Sequence, residues 1–156
     1  MNFKASWNAI ILFICGSVYG VNAAWGLIET YMTSYLIHYN PFITTSIVHS
    51  INIVLTMASL PSSYTFLPMT KFFGYKETII LCMFIGSFGL FICSWSTAYW
   101  GMFLGILVFG YSKHLFHLTS SQMMMLIMPN NLSLGVALSY LGASFSTVYW
   151  SMLAVY

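Results

Sequence analysis

This chain contains no aspartate and no arginine. Its charged side chains number six in 156 residues: Lys4, Lys71, Lys76, Lys113, Glu29 and Glu77. A soluble domain is about one-quarter charged, so these residues cannot assemble a water-facing surface. A formal net charge of +2 also leaves too little positive charge for a nucleic-acid partner. Cysteine is scarce and odd in number. Cys15, Cys82 and Cys93 each lie in an apolar run, which excludes a disulfide framework and leaves them as small hydrophobes. GxGxxG, P-loop, GxSxG and HExxH patterns are all missing. The expectation is a chain that is not an enzyme and that carries no cofactor and no metal.

What the chain has in abundance is apolar surface. Hydrophobic residues make up 60% of it, and the bilayer is the solvent that suits such a composition. A spanning helix takes about 20 apolar residues, so the length allows about five spans with short loops. The predicted fold is all-α: a polytopic transmembrane bundle of about five helices in one domain, 1–156. The helices are expected at about 7–36, 44–66, 77–93, 99–127 and 132–155. Asn40-Pro41 marks the first turn. Pro61 and Pro68 bend or end the second helix, and Thr70 to Lys76 form the most polar loop. Met128-Pro129-Asn130-Asn131 separates the last two helices. Lys4 before an apolar run is signal-peptide-like, but the run continues past Gly26 without a cleavage site, so it is read as a retained helix.

Lysine placement predicts orientation. Lys4 precedes the first helix, and Lys71 and Lys76 lie between the second and third. The connections near Pro41 and Ser96 have no lysine. The positive-inside rule then puts the N-terminus inside and the end of the fifth span outside. Tyr and Trp near helix ends, among them Trp7, Tyr39, Trp95 and Trp100, fit an aromatic belt.

Small residues recur on single helix faces: Gly16 and Gly20 on the first, Cys82, Gly86, Gly89 and Cys93 on the third, and Gly135, Ser139, Gly142 and Ser146 on the fifth. In lipid, helices associate through close backbone approach, so these stripes are expected to pack within the bundle or onto a foreign subunit. Glu29 and Lys113 fall inside the expected spans, where a charge faces a cavity or a partner. Asn22 and Thr33 share the Glu29 face. His117 and Ser120 share the Lys113 face, with His114 about 100° away. The two charges are candidates for an intramembrane ion pair, or for a transport pathway with His114, His117, Asn22 and Trp25. The bland alternatives are a structural pair or a side chain reaching the interface. His114 and His117 have no neighbouring carboxylate or thiol to complete a metal set, and His38 and His49 read as interfacial residues, not haem ligands. The Asn131-Leu132-Ser133 sequon lies on the expected inner face and is discounted.

Three stretches together resemble the first five helices of a major facilitator superfamily transporter, nearest the oxalate/formate-antiporter and monocarboxylate-transporter-like branch. They are Gly20-Val21-Asn22-Ala23-Ala24-Trp25-Gly26 leading into Tyr31 to Leu36, Phe73-Gly74-Tyr75-Lys76 with Gly86 and Gly89 beyond it, and Pro129 to Leu138. The resemblance implies an incomplete N-terminal lobe of such a transporter. Aligned on Gly74, the family's glycine, aspartate and arginine positions hold Leu67, Lys71 and Phe72, so the acidic gating residue is absent. The basic turn before the fifth helix is replaced by Asn130-Asn131. These transporters hold substrate between two six-helix halves, and five helices offer no second lobe to rock against.

The expected function is therefore a non-catalytic, transporter-derived subunit of a larger membrane complex. Its partners would be the bilayer and other membrane subunits. The low charge resembles small hydrophobic subunits of respiratory complexes, which points to the inner mitochondrial membrane. The alternative is a half-size transporter of small organic anions that works as an oligomer or with a second half, with Lys113 as counter-charge. A third reading is a proton-conducting or quinone-contacting respiratory subunit, which would need the polar stripes to join a water path in a neighbour.

Overall fold

A computed structural model describes residues 25–127 continuously, with Ile10, Phe13, Ser17, Ser133, Ala137, Leu141, Gly142, residues 144–146, Val148, Tyr149 and Met152 from the flanking segments. The described residues are helical apart from short turns, and no strand occurs among them. Five helices make up the continuous part: α1 (Trp25–Tyr39), α2 (Thr45–Met57), α3 (Ser59–Phe73), α4 (Tyr75–Trp95) and α5 (Tyr99–Ile127). The expected helix over 132–155, the first half of that over 7–36, and Gly16, Gly20, Asn22 and Gly135 lie outside the continuously described residues.

The turns follow local chemistry. Between α1 and α2 the Asn40 side chain accepts the backbone N–H of Phe42 at 3.1 Å across Pro41. This local hydrogen bond is the reason Asn-Pro makes a turn. The expected helix over 44–66 is instead two helices, interrupted at Ala58. Pro61 has no N–H to offer the carbonyl of Met57, so the ladder loses a rung there, while the first turn of α3 accommodates the ring. Pro68 does not end α3, which runs on to Phe73. The segment from Thr70, expected as a polar loop, is helical through Phe73. The Thr70 hydroxyl turns inward and donates to the carbonyl of Phe66 at 2.9 Å. The chain reverses only at Gly74, with φ 91° and ψ 166°, a backbone region that is essentially glycine's. Thr78 then donates its hydroxyl to the Gly74 carbonyl at 2.6 Å and fixes the start of α4.

α5 is the central element and packs against α4, α3 and α2. Its contact with α4 is the most extensive, because the two helices meet through small residues. A Cβ added at Gly105 would lie 2.7 Å from the carbonyl oxygen of Gly89, and one at Gly89 would lie 2.8 Å from that of Gly105. Cys82, Gly86 and Gly89 are buried in this seam. The remaining core is built by Leu36 of α1, Val48, Ile51 and Leu55 of α2, and Ile106, Phe109, Leu115, Phe116 and Met124 of α5.

The outer surface has the opposite character. Ile80, Phe84, Phe88, Phe91 and Trp95 recur at three- to four-residue spacing and form one outward stripe along α4 from Ile80 to its end. Phe84 is 71% exposed and Trp95 79%. Meanwhile Ser62, Thr78, Ser112 and Thr119 are fully buried. Among the described residues, one helix, Tyr75–Trp95, is long and apolar enough to cross a membrane.

Candidate functional site

Glu29 lies in α1 and His49 in α2, and they form the ion pair found among the described residues. His49 Nδ1 is 2.9 Å from Glu29 Oε1. The α1–α2 turn folds the two helices back on each other and brings together residues twenty apart in sequence. Glu29 is the more protected partner, at 21% side-chain exposure against 64% for His49. Thr33, one turn on from Glu29, donates its hydroxyl to the Glu29 backbone carbonyl at 2.7 Å, which ties it to its own helix and not to the carboxylate. The Glu29 carboxylate thus meets His49 and not Lys113. Trp25 opens α1, and Asn22 lies beyond the described residues.

Lys113, His114 and His117 occupy the middle of α5. Lys113 and His114 are half-buried and His117 is exposed. Lys113 lies within electrostatic reach of both histidines. His114 also interacts with the backbone of Leu55, close to the α2–α3 interruption. The arrangement is a polar stripe with one formal charge, Lys113. Among the described residues, no three His, Cys, Asp or Glu side chains converge as a metal set.

Among the described residues, three hydroxyl hydrogen bonds join α5 to its neighbours, beside a longer one of 3.7 Å from the Cys93 thiol to the carbonyl of Met102. Tyr99 and Ser50 share one of 2.7 Å between α5 and α2, and Tyr111 and Thr65 share one of 2.7 Å between α5 and α3. Ser112 donates to the backbone carbonyl of Cys82 in α4 at 2.5 Å. They give Tyr99, Tyr111 and Ser112 of α5 polar partners on neighbouring helices, so they act as interhelix ties. Sequence reasoning missed all three, and it missed His49 as the partner of Glu29. A signal existed only in part: the tyrosines fall within apolar helix runs where a buried hydroxyl needs a partner.

Of the small residues expected to pack, Gly86 and Gly89 face α5 as described above. Gly142 is buried, and a Cβ there would meet the carbonyl oxygen of Phe13 at 2.7 Å. Phe13 and Phe145 bring ring centroids within 6.3 Å in the same region. A recess of about 470 Å³ sits at the α4–α5 turn, lined mainly by Phe88, Phe91, Ile92 and Trp95. It touches neither Glu29 nor Lys113. No protein-family model, curated protein or solved structure matches the chain.

Proposed function

We propose that this chain is a non-catalytic integral membrane subunit, a polytopic helix bundle that serves as scaffold within a larger membrane assembly. The carrying observation is the division of α4 into two faces. Small Cys82, Gly86 and Gly89 point inward, and Ile80, Phe84, Phe88, Phe91 and Trp95 point outward. Water disfavours a continuous apolar stripe from Ile80 to Trp95, four of its five residues aromatic, whereas lipid or a foreign helix accepts it. α5, at 29 residues, has the length to span, but polar residues such as Lys113, His114, His117 and Gln122 interrupt its apolar run.

The pairing of Glu29 with His49 supports a scaffold over a transporter. A carboxylate already hydrogen-bonded to the imidazole of the adjacent helix is less available to a solute. The derivation from an N-terminal transporter lobe, and residence in an energy-converting complex of the inner mitochondrial membrane, belong to the same proposal. They rest on the quoted sequence stretches and the low charge. The half-size anion transporter has one observation in its favour, the half-buried Lys113 with His114 and His117 beside it on α5.

The test is the native mass of the gently solubilised protein together with the identity of whatever co-migrates. Stable migration with unrelated membrane subunits is the expected result. A monodisperse homodimer, together with anion uptake that is lost in Lys113→Ala, would replace the scaffold with the transporter.

A further inference from the structure

A lysine ends each of two apolar helix faces at the Gly74 turn. α3 exposes Leu60, Tyr64 and Leu67 at helical spacing, and the next position on that face is the exposed Lys71. The outward stripe of α4 ends in the same way. One turn before Ile80, on the side of Gly74, stands the exposed Lys76. Phe72, between the lysines in sequence, is exposed as well.

The turn is held from within. Thr70 and Thr78 are buried and donate their hydroxyls to the carbonyls of Phe66 and Gly74. Among the described residues neither Lys71 nor Lys76 forms an ion pair. Glu77 is exposed too, with its carboxylate folded back over Gly74. Two lysines and one glutamate leave the turn with a net positive charge. Depth places it in a membrane. Tyr75 and Trp95 are the two ends of a 21-residue helix. At the helical rise they lie about 30 Å apart, which is also the thickness of the hydrocarbon core. With Trp95 at one boundary, the Gly74 turn falls at the other. There a lysine reaches lipid phosphate while the apolar stripe below it meets acyl chains.

We propose that the Gly74 turn binds an anionic phospholipid: Lys71 and Lys76 hold the headgroup, and the outward stripes of α3 and α4 carry the acyl chains. The inference rests on the membrane-subunit reading and names the class of lipid. Charge selects the occupant. A zwitterionic lipid brings its own positive charge along with the phosphate, whereas an anionic lipid brings net negative charge to a positive turn.

The experiment titrates the gently solubilised protein, with whatever subunits accompany it, in a non-ionic detergent. Phosphatidylglycerol and phosphatidylcholine with the same acyl chains are added separately, and bound lipid is counted by native mass spectrometry. Phosphatidylglycerol should bind about tenfold more tightly. Lys71→Gln with Lys76→Gln should bring the two lipids level, and Lys71→Arg with Lys76→Arg should keep the preference. Glu77→Gln should widen it roughly threefold, because a negative charge leaves the turn. That variant keeps both lysines, so it answers even where the double glutamine variant does not fold. Equal binding of the two lipids by wild type would overturn the proposal. So would a preference that survives Lys71→Gln with Lys76→Gln in a chain of unchanged helicity, or one that Glu77→Gln does not widen. Displacement of phosphatidylglycerol by millimolar glycerol phosphate would assign the lysines to a soluble phosphate instead. Release of the wild-type chain from native membranes by alkaline carbonate would remove the membrane reading itself, whereas a carbonate-resistant chain without lipid preference would fail this inference alone.

Discussion

At the scale of single residues, the account depends on which charge meets which partner. Glu29 and His49 are 2.9 Å apart with His49 mostly exposed, so their coupling should be modest. Exposed pairs contribute about 0–1 kcal/mol. A double-mutant cycle with Glu29→Gln and His49→Gln should return a coupling within that range, measured by reversible unfolding in detergent micelles. The cycle of Glu29→Gln with Lys113→Met should return none, and a clear coupling there would place the carboxylate on the wrong partner. The hydroxyl ties give a second residue-scale expectation. Tyr111→Phe removes one end of the 2.7 Å bond to Thr65. Interhelix hydrogen bonds in membranes average about 0.6 kcal/mol, and the variant should lose about that much stability.

Among the elements, the α4–α5 seam is the most constrained. Gly105→Ala places a methyl group 2.7 Å from the Gly89 carbonyl, and backbone cannot yield as a side chain can. The variant should be destabilised by about 1–3 kcal/mol, as overpacked cores are. Phe84→Leu, on the outward face of the same helix, should be close to neutral in lipid. Equal effects of the two changes would mean that the faces of α4 are assigned wrongly. Gly74→Ala forces a Cβ into φ 91° and should cost about 1–3 kcal/mol by the same assay.

The elements also show what was legible from sequence. Helical character could be read from the apolar runs, since no run alternates as a strand does. The interruption at Ala58 could not be placed, because Pro61 tells that a helix starts or bends nearby and not which residue absorbs the break. Pro68 and the polar residues Thr70 and Lys71 read in the sequence as punctuation. Inside a packed helix, Pro68 removes one hydrogen bond, and Thr70 satisfies its hydroxyl on Phe66, so tertiary contact outweighs both signals. The site was legible to the extent of finding the rare ionisable groups. Their partners were not, because His49 reaches Glu29 through the geometry of the α1–α2 turn, which spacing along one helix cannot reveal.

At the scale of the whole molecule, solvent is the question. The proposed solvent for a chain with six charged side chains and an outward aromatic stripe on α4 is lipid. On the proposed membrane-spanning reading, the α1–α2 and α4–α5 turns would share one side of the membrane and the Gly74 turn would lie on the other; Ser50 and Tyr99, near the first two turns, are joined by a hydrogen bond. The most direct test is sided labelling in intact vesicles. Single cysteines at Lys71 and at Ser96, in a chain whose own cysteines are replaced by alanine, are exposed to an impermeant maleimide from each side in turn. The account expects Lys71→Cys and Ser96→Cys to react from opposite sides, with the protein resisting extraction by alkaline carbonate. Reaction of both from the same side, or release of the protein by carbonate, would contradict the membrane-spanning fold and everything built on it.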